Sequence, residues 1–325
     1  MNDDESAPMS LGIGVPTSFL CDSFRLYGMI HPSRDPNQRP STGVVMLNPG
    51  PTDRAGAHRF SIKLAERFAG MGYPTLRFDP RGTGESEGDW DPGFDGKPIL
   101  NPYDEVERGV WIPDTHAAIE HLTQASGVSS VVLGGVCGGA ITALLAGAEH
   151  PRVDGIFMIG NPVTLSRQTL TDISMLPQQT LDDELGRYLG KLLRPSAWMR
   201  LIGLRTDFRT LCGVLANRAR LLLPGGRRGL ERAPVEALSP PFARAFQMAV
   251  LHRKRLLFVY STNDYHWHEF QEYFLATRSE IERRAFELSC IADANHNLTE
   301  ERWQEELYGI LLPWQGATAS RGATQ

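Results

Sequence analysis

An apolar strand that breaks into a glycine-rich turn around one cysteine, then resumes as a small-residue helix, limits this chain's fold more than any other feature. The segment is SVVLGGVCGGAITALLAG (130–147), and its turn reads Gly135-Val136-Cys137-Gly138-Gly139. A residue displayed on so sharp a turn sits in a strained backbone conformation, and neighbours without a Cβ let helix and strand approach closely. The G-x-nucleophile-x-G spacing in a strand–turn–helix context places Cys137 at a helix N-terminus. Unsatisfied N–H groups and the helix dipole favour a thiolate there. The competing reading is a small buried cysteine that only packs.

The surrounding sequence supplies a sheet for that strand. FLCDSFRLYGMIHP (19–32) reads as a β-hairpin, and GVVMLN (43–48), PTLRFD (74–79), VDGIFMIG (153–160), RLLFVYS (255–261) and RAFELSCI (284–291) read as further strands. Apolar residues three and four apart predict helices over 59–71, 104–125, 138–149, 267–282 and 299–312. This alternation predicts an α/β fold with a mostly parallel central sheet flanked by helices. It stops between Asn161 and His252, a leucine- and arginine-rich interval broken by Pro177, Pro195, Pro224, Pro234 and Pro240-Pro241. The expected organisation is a core of 15–160 and 253–314, a helical cap inserted at 161–252, and loose polar tails at 1–14 and 315–325.

If Cys137 is a nucleophile, an acid and then a histidine should follow it in chain order. Ser261-Thr262-Asn263-Asp264 places Asp264 at the end of a strand, and Ala292-Asp293-Ala294-Asn295-His296-Asn297 places His296 in a loop after the next. His296 is the expected base and Asp264 the group that holds its tautomer. Asp293 is a rival acid that would only shape its loop if unused. His266 and His268 read as caps or solvent-facing residues of the next helix, and His252 as structural. Gly50, between Pro49 and Pro51, is the expected oxyanion donor after the second core strand, because proline has no N–H; Gly138 is the other donor. Arg54, His58 and Arg59 either bind an anionic group or dock the following helix.

The remaining chemistry is narrowed by exclusion. With 33 Lys and Arg against 38 Asp and Glu, the net charge of −5 argues against general nucleic-acid binding. Cys21, Cys137, Cys212 and Cys290 are widely spaced, which fits neither a disulfide framework nor a zinc site. His266-x-His268-Glu269 falls short of the three converging ligands a metal needs, so neither metal nor cofactor is expected. No apolar run reaches the roughly 18–20 residues of a membrane span, and the start MNDDESAPMS has no signal-peptide pattern, so a cytoplasmic location is expected.

Taken together, these segments resemble the α/β-hydrolase superfamily over about residues 17–313. The resemblance implies the α/β-hydrolase fold, and makes Asp79-Pro80-Arg81-Gly82-Thr83-Gly84-Glu85-Ser86 the largely architectural D-x-R-G-x-G-x-S loop. Gly50-Pro51, Arg54, Gly56, His58-Arg59, LRFDPRGTGESEG (76–88) and GVCGGA (135–140) are similar to the exosortase A system-associated hydrolases, which also carry cysteine at this turn. That pattern has Asp after the cysteine, where this chain has Gly138. Polyhydroxyalkanoate synthases share the G-x-C-x-G turn and a Cys-Asp-His triad. Chain-releasing cyclases and dienelactone-type hydrolases match at the same point.

Cysteine in place of serine makes the covalent intermediate a thioester, which thiols, amines and carbanions attack far faster than an oxoester. The expected activity is cleavage of an acyl ester or thioester through acyl-Cys137. The alternatives are an acyltransferase or cyclase using the same intermediate, and a binding module on a retired hydrolase fold. Residues 187–232 carry eleven Arg or Lys against Asp207 and Glu231, interleaved with apolar residues. Arg205 and Arg209 in that stretch are expected to meet the anionic part of a carrier- or coenzyme A-linked substrate, or an anionic membrane face. The plainer reading is a solvated outer face of the cap.

Overall fold

The computed structural model describes residues 14–35, 41–50, 52–88, 105–164 and 238–322. Eight strands form one sheet: β1 Val15–Cys21, β2 Phe24–His31, β3 Thr42–Leu47, β4 Thr75–Phe78, β5 Ser130–Val136, β6 Val153–Ile159, β7 Arg255–Ser261 and β8 Glu287–Ile291. Their order is β1-β2-β4-β3-β5-β6-β7-β8. The opening hairpin and its junction with β4 are antiparallel, and every pairing from β4 to β8 is parallel. The sequence-predicted strands are all present. β8 begins at Glu287 rather than residue 284, because Glu280–Arg283 forms a helical turn whose exit occupies Arg284.

Helices cover both faces, as the period-two burial of the strands requires. Val45, Val131, Leu133, Ile156 and Phe258 point to one face. They pack there against α2 Ile112–Ser126, α3 Gly138–Gly147 and α4 Pro240–Leu251. Val44, Met46, Val132, Phe157 and Val259 point to the other, against α1 Phe60–Gly70 and the last helix, Glu301–Gly322. Among the described residues, no helix is long and apolar enough to cross a membrane.

Four expectations change. The cap interval 161–252 was drawn too wide: Pro240-Pro241 opens α4 instead of breaking a helix, with the Ser239 side chain accepting from the Phe242 N–H. Pro lacks the N–H that is unsatisfied at a first turn anyway. Phe242, Ala245, Phe246 and Ala249 then bury in the core. Thr164 and Leu238 form an antiparallel bridge, so the chain leaves and re-enters the described structure at one point. Residues 165–237 lie outside the described residues.

The long helix expected over 104–125 is interrupted: residues 105–107 are helical, Gly109 turns at φ 86°, and α2 starts at Ile112 with Pro113 in its first turn. The one expected over 267–282 is broken up. It starts as α5 Tyr265–Glu269, loosens into a π-turn at Phe270–Phe274, and restarts as α6 Glu280–Arg283 behind a Ser279–Glu282 capping box. The loose tail expected at 315–325 is helical as far as Gly322, because the final helix, α7, continues through Pro313.

Two glycines test the packing in opposite senses. A Cβ at Gly139 would stand 2.5 Å from the Leu47 carbonyl oxygen, whereas one at Gly309, at an exposed position of α7, meets nothing within 4 Å. Gly139→Ala should destabilise by about 1–3 kcal/mol. Gly309→Ala should stabilise by roughly 0.5–1 kcal/mol. Urea unfolding of the two variants checks both signs.

Candidate active site

Cys137 stands between the end of β5 and the start of α3 with φ 52° and ψ −116°, a conformation that side-chain-bearing residues avoid. The turn is held by the Cys137 N–H on the Ile159 carbonyl (2.9 Å) and by the Ala140 N–H on the Cys137 carbonyl (3.0 Å). Its flanking glycines are sterically required. A Cβ on Gly135 would lie 2.6 Å from the Gly139 carbonyl carbon, and Gly139 itself lies against Leu47 and Asn48 of β3's exit. The result is a half-buried thiol over the C-terminal edge of the sheet.

Asp264 and His296 reach that thiol from the neighbouring strand ends. Asp264 follows β7 and caps α5, with Oδ1 accepting from the His266 N–H (3.1 Å) and Oδ2 bonded to His296 Nδ1 (2.8 Å). The carboxylate is buried and the imidazole about one-third exposed. Gly160, at φ 55° after β6, lies alongside: a Cβ there would stand 3.1 Å from Asp264 Oδ2 and 3.2 Å from the His296 ring. Asp293, the rival acid, serves the loop through its backbone. Its N–H donates to Thr262 Oγ1 (2.8 Å) and its carbonyl accepts from Asn263 Nδ2 (3.1 Å).

A second histidine shares the site. The ring of His266 packs 5.2 Å from that of His296, centroid to centroid, and its Nδ1 bonds to Glu269 Oε2 at 2.8 Å. Glu269 is buried, and its other oxygen accepts from the Thr164 N–H (2.6 Å) and the Thr164 hydroxyl. Cys137 Sγ and one ring nitrogen from each of His266 and His296 all lie within 4.8 Å of one another. The thiol therefore faces two imidazoles, each backed by its own carboxylate. Sequence reasoning placed His266 at a helix cap or in solvent. The overlooked signal was the spacing His266-x-x-Glu269, which puts both side chains on one helical face.

These contacts set the charges. Burial alone would raise the Cys137 thiol, but hydrogen bonds and positive charge from His266 and His296 bring it down to about 6. Burial would lower His296; Asp264 and Cys137 instead raise it to about 9. His266, also opposed by burial, is pushed well up by Cys137 and Glu269. Asp264 is held below the usual carboxylate range despite burial, mainly by His296. The stable neutral-pH arrangement is a thiolate between two imidazoliums. By contrast, burial raises the Cys21 thiol to about 11 and also raises Cys290.

A family model, serine aminopeptidase S33, matches residues 39–196, which contain the elbow and the D-x-R-G-x-G-x-S loop. Solved structures agree on the fold along nearly the whole chain. An alpha-beta serine hydrolase homologue from Coxiella burnetii is similar at TM-score 0.51 and 14% identity, over 92% of this chain and 95% of that one. The Pyrococcus furiosus esterase Pf2001 is similar at TM-score 0.52 and 14% identity, over 94% and 95%. A structure from work on carboxylesterases of Nitrososphaera gargenis is similar at TM-score 0.52 and 14% identity, over 94% and 99%. The chain has the α/β-hydrolase fold. No curated protein matches it. The matched family is named for serine, and this chain carries Cys137 at the elbow.

Two expected site residues are otherwise engaged. The Gly50 N–H donates to the Asn48 carbonyl (2.8 Å), closing a tight turn around Pro49 with Gly50 at φ 70°, so it is not aimed at an oxyanion. Gly50 does lie against Gly138, whose N–H sits in the first turn of α3, where no intrahelical acceptor exists. Arg54, expected at the substrate, is instead locked to the D-x-R-G-x-G-x-S loop. Its guanidinium pairs with buried Asp79 and with Glu85 (2.6 Å), and its N–H donates to Asp79 Oδ1 (2.6 Å). Asp79 attracts it because a fully buried carboxylate needs a partner. Arg205, Arg209 and Cys212 lie outside the described residues.

Arg54→Ala should accordingly act on stability, by about 3 kcal/mol, since it strands the Asp79 charge. Denaturant melts check this, and an intact melt with a raised KM would restore Arg54 to the substrate. Iodoacetamide should alkylate Cys137 ahead of Cys21 and Cys290 at pH 7. The rate should fall as pH drops through about 6, where the thiolate is protonated, and the midpoint should move upward in His296→Ala. Mass mapping across a pH series reads both.

Proposed function

We propose that the protein is a cysteine-dependent α/β-hydrolase that cleaves an acyl ester or thioester through an acyl-Cys137 intermediate. The observation that carries this reading is the seating of Cys137 on the strained elbow, facing His296 with Asp264 behind it. The similarity of GVCGGA to the exosortase A system-associated hydrolases supports cysteine as the nucleophile.

The proton accounting is simple. The thiolate attacks the acyl carbonyl, and the Gly138 N–H at the α3 N-terminus faces the developing oxyanion. As the tetrahedral adduct collapses, the His296 imidazolium gives its proton to the departing alkoxide or thiolate, leaving a thioester and a neutral ring. That ring then takes a proton from water, the new oxygen nucleophile attacks, and the Cys137 thiolate departs with the imidazolium restored. Asp264 fixes the His296 ring with Nδ1–H toward itself, so that Nε2 serves the thiol. The His266–Glu269 pair supplies a second positive group that steadies the thiolate.

A transferase or cyclase shares every step except the identity of the acceptor, and cysteine favours it. A thioester intermediate waits for thiols and amines better than an oxoester does. The basic stretch 187–232, with Arg205 and Arg209, supports an anionic acyl carrier as donor.

Brief exposure to an acyl thioester, followed by intact-mass spectrometry, tests the reading. One acyl adduct is expected, on Cys137, and none in Cys137→Ala. Asp264→Asn should slow turnover by roughly 10⁴-fold with folding retained. An adduct elsewhere, or turnover by Cys137→Ala, would overturn the proposal. Free acid as the product with every acceptor offered would decide for hydrolysis.

A further inference from the structure

We propose that this cleft is also a metal site, in which Cys137 Sγ and the Nε2 atoms of His266 and His296 bind one Zn²⁺ and reversibly silence the thiol. The silencing rests on Cys137 being the nucleophile; the binding does not.

A Cys–His–Asp triad needs one imidazole. His266 is a second, and its presence changes what the thiol can hold. Two donors make a weak metal site, whereas three that converge make a chelate. Here the three donor atoms lie within 4.8 Å of one another among partly exposed side chains, so an ion has access. Donors at 2.0–2.3 Å from a tetrahedral zinc stand roughly 3.5 Å apart, so side-chain movements of about 1 Å complete the site.

The orientation of the rings supports this more strongly than the spacing does. Each Nδ1 is taken by a carboxylate at 2.8 Å, His296 by Asp264 and His266 by Glu269. Each ring therefore turns its Nε2 towards the cleft. A carboxylate behind the far nitrogen is the usual outer partner of a zinc-bound histidine, where it fixes the tautomer and strengthens the donor. Glu269 is itself clamped by the Thr164 N–H and hydroxyl, so that partner is held in place. A set of one thiolate and two imidazoles is of borderline softness, which suits Zn²⁺ over Mg²⁺ or Ca²⁺.

The test titrates the full chain, stripped of metal by a chelator, with Co²⁺ as the spectroscopic probe and Zn²⁺ as competitor. One equivalent should give a thiolate-to-cobalt band in the near ultraviolet, which Zn²⁺ removes and Cys137→Ser lacks. Loss of a ligand in His266→Gln or His296→Gln should weaken Zn²⁺ binding at least 100-fold, and Glu269→Gln should weaken it roughly tenfold. Zn²⁺ should also protect Cys137 from iodoacetamide more than tenfold, with full recovery on chelation. This arm needs no variant, so it decides the matter if His266→Gln does not fold. Absence of the band, unchanged affinity in a folded His266→Gln, absence of protection, or turnover that rises with Zn²⁺ would each overturn the proposal. Failure of metal-free protein to form an acyl adduct on Cys137 would overturn the nucleophile reading instead, and would leave the Co²⁺ result standing.

Discussion

The site depends on the contact between Gly135 and Gly139 across the elbow. With no Cβ on either, α3 starts directly above the end of β5, and Cys137 is forced to positive φ with its side chain lifted clear of the sheet. A strained residue persists only where its surroundings over-determine it. The surroundings here are hydrogen bonds on both sides of Cys137 and two fully buried strands beneath. Asp264 and His296 arrive on the loops after β7 and β8, and His266 and Glu269 on α5; they matter only because this turn presents a fixed target.

Once the thiol is presented, its charge follows from a contest. Burial opposes every charged group in the cleft, yet Cys137, His296 and Asp264 all end up charged. They do so because the His296 imidazolium is counter-ion to both the thiolate and the carboxylate. Such mutual support makes the cluster cooperative, so removing any one member changes the protonation of the rest. The single triad read along the chain is therefore an incomplete picture of the electrostatics. Cys137 answers to two acid-backed rings, and the second ring comes from α5.

Most of the architecture was legible in the sequence because sheet burial writes itself as apolar runs, and the elbow writes itself as glycine. Cys137, Asp264 and His296 were legible by order alone, since strand ends in such a sheet converge. What escaped was geometry that depends on short-range turns. Asn48 takes the Gly50 N–H within one turn, and Arg54 is claimed by an acid twenty-five positions away. Neither preference shows in residue type. His266 was missed because α5 is only five residues long, too short for periodicity to reveal which way its side chains face. The cap boundary was misjudged because Pro240-Pro241 reads equally as a break and as a beginning.

The Thr164–Leu238 bridge ties the margin of the site to the core. The two residues flanking the interval 165–237 are paired backbone to backbone, and Thr164 also secures the Glu269 that holds His266. The point where the chain leaves the core for that interval is thus also the anchor of the carboxylate that orients the second imidazole. A displacement of Thr164 would be carried through Glu269 to the imidazole beside Cys137.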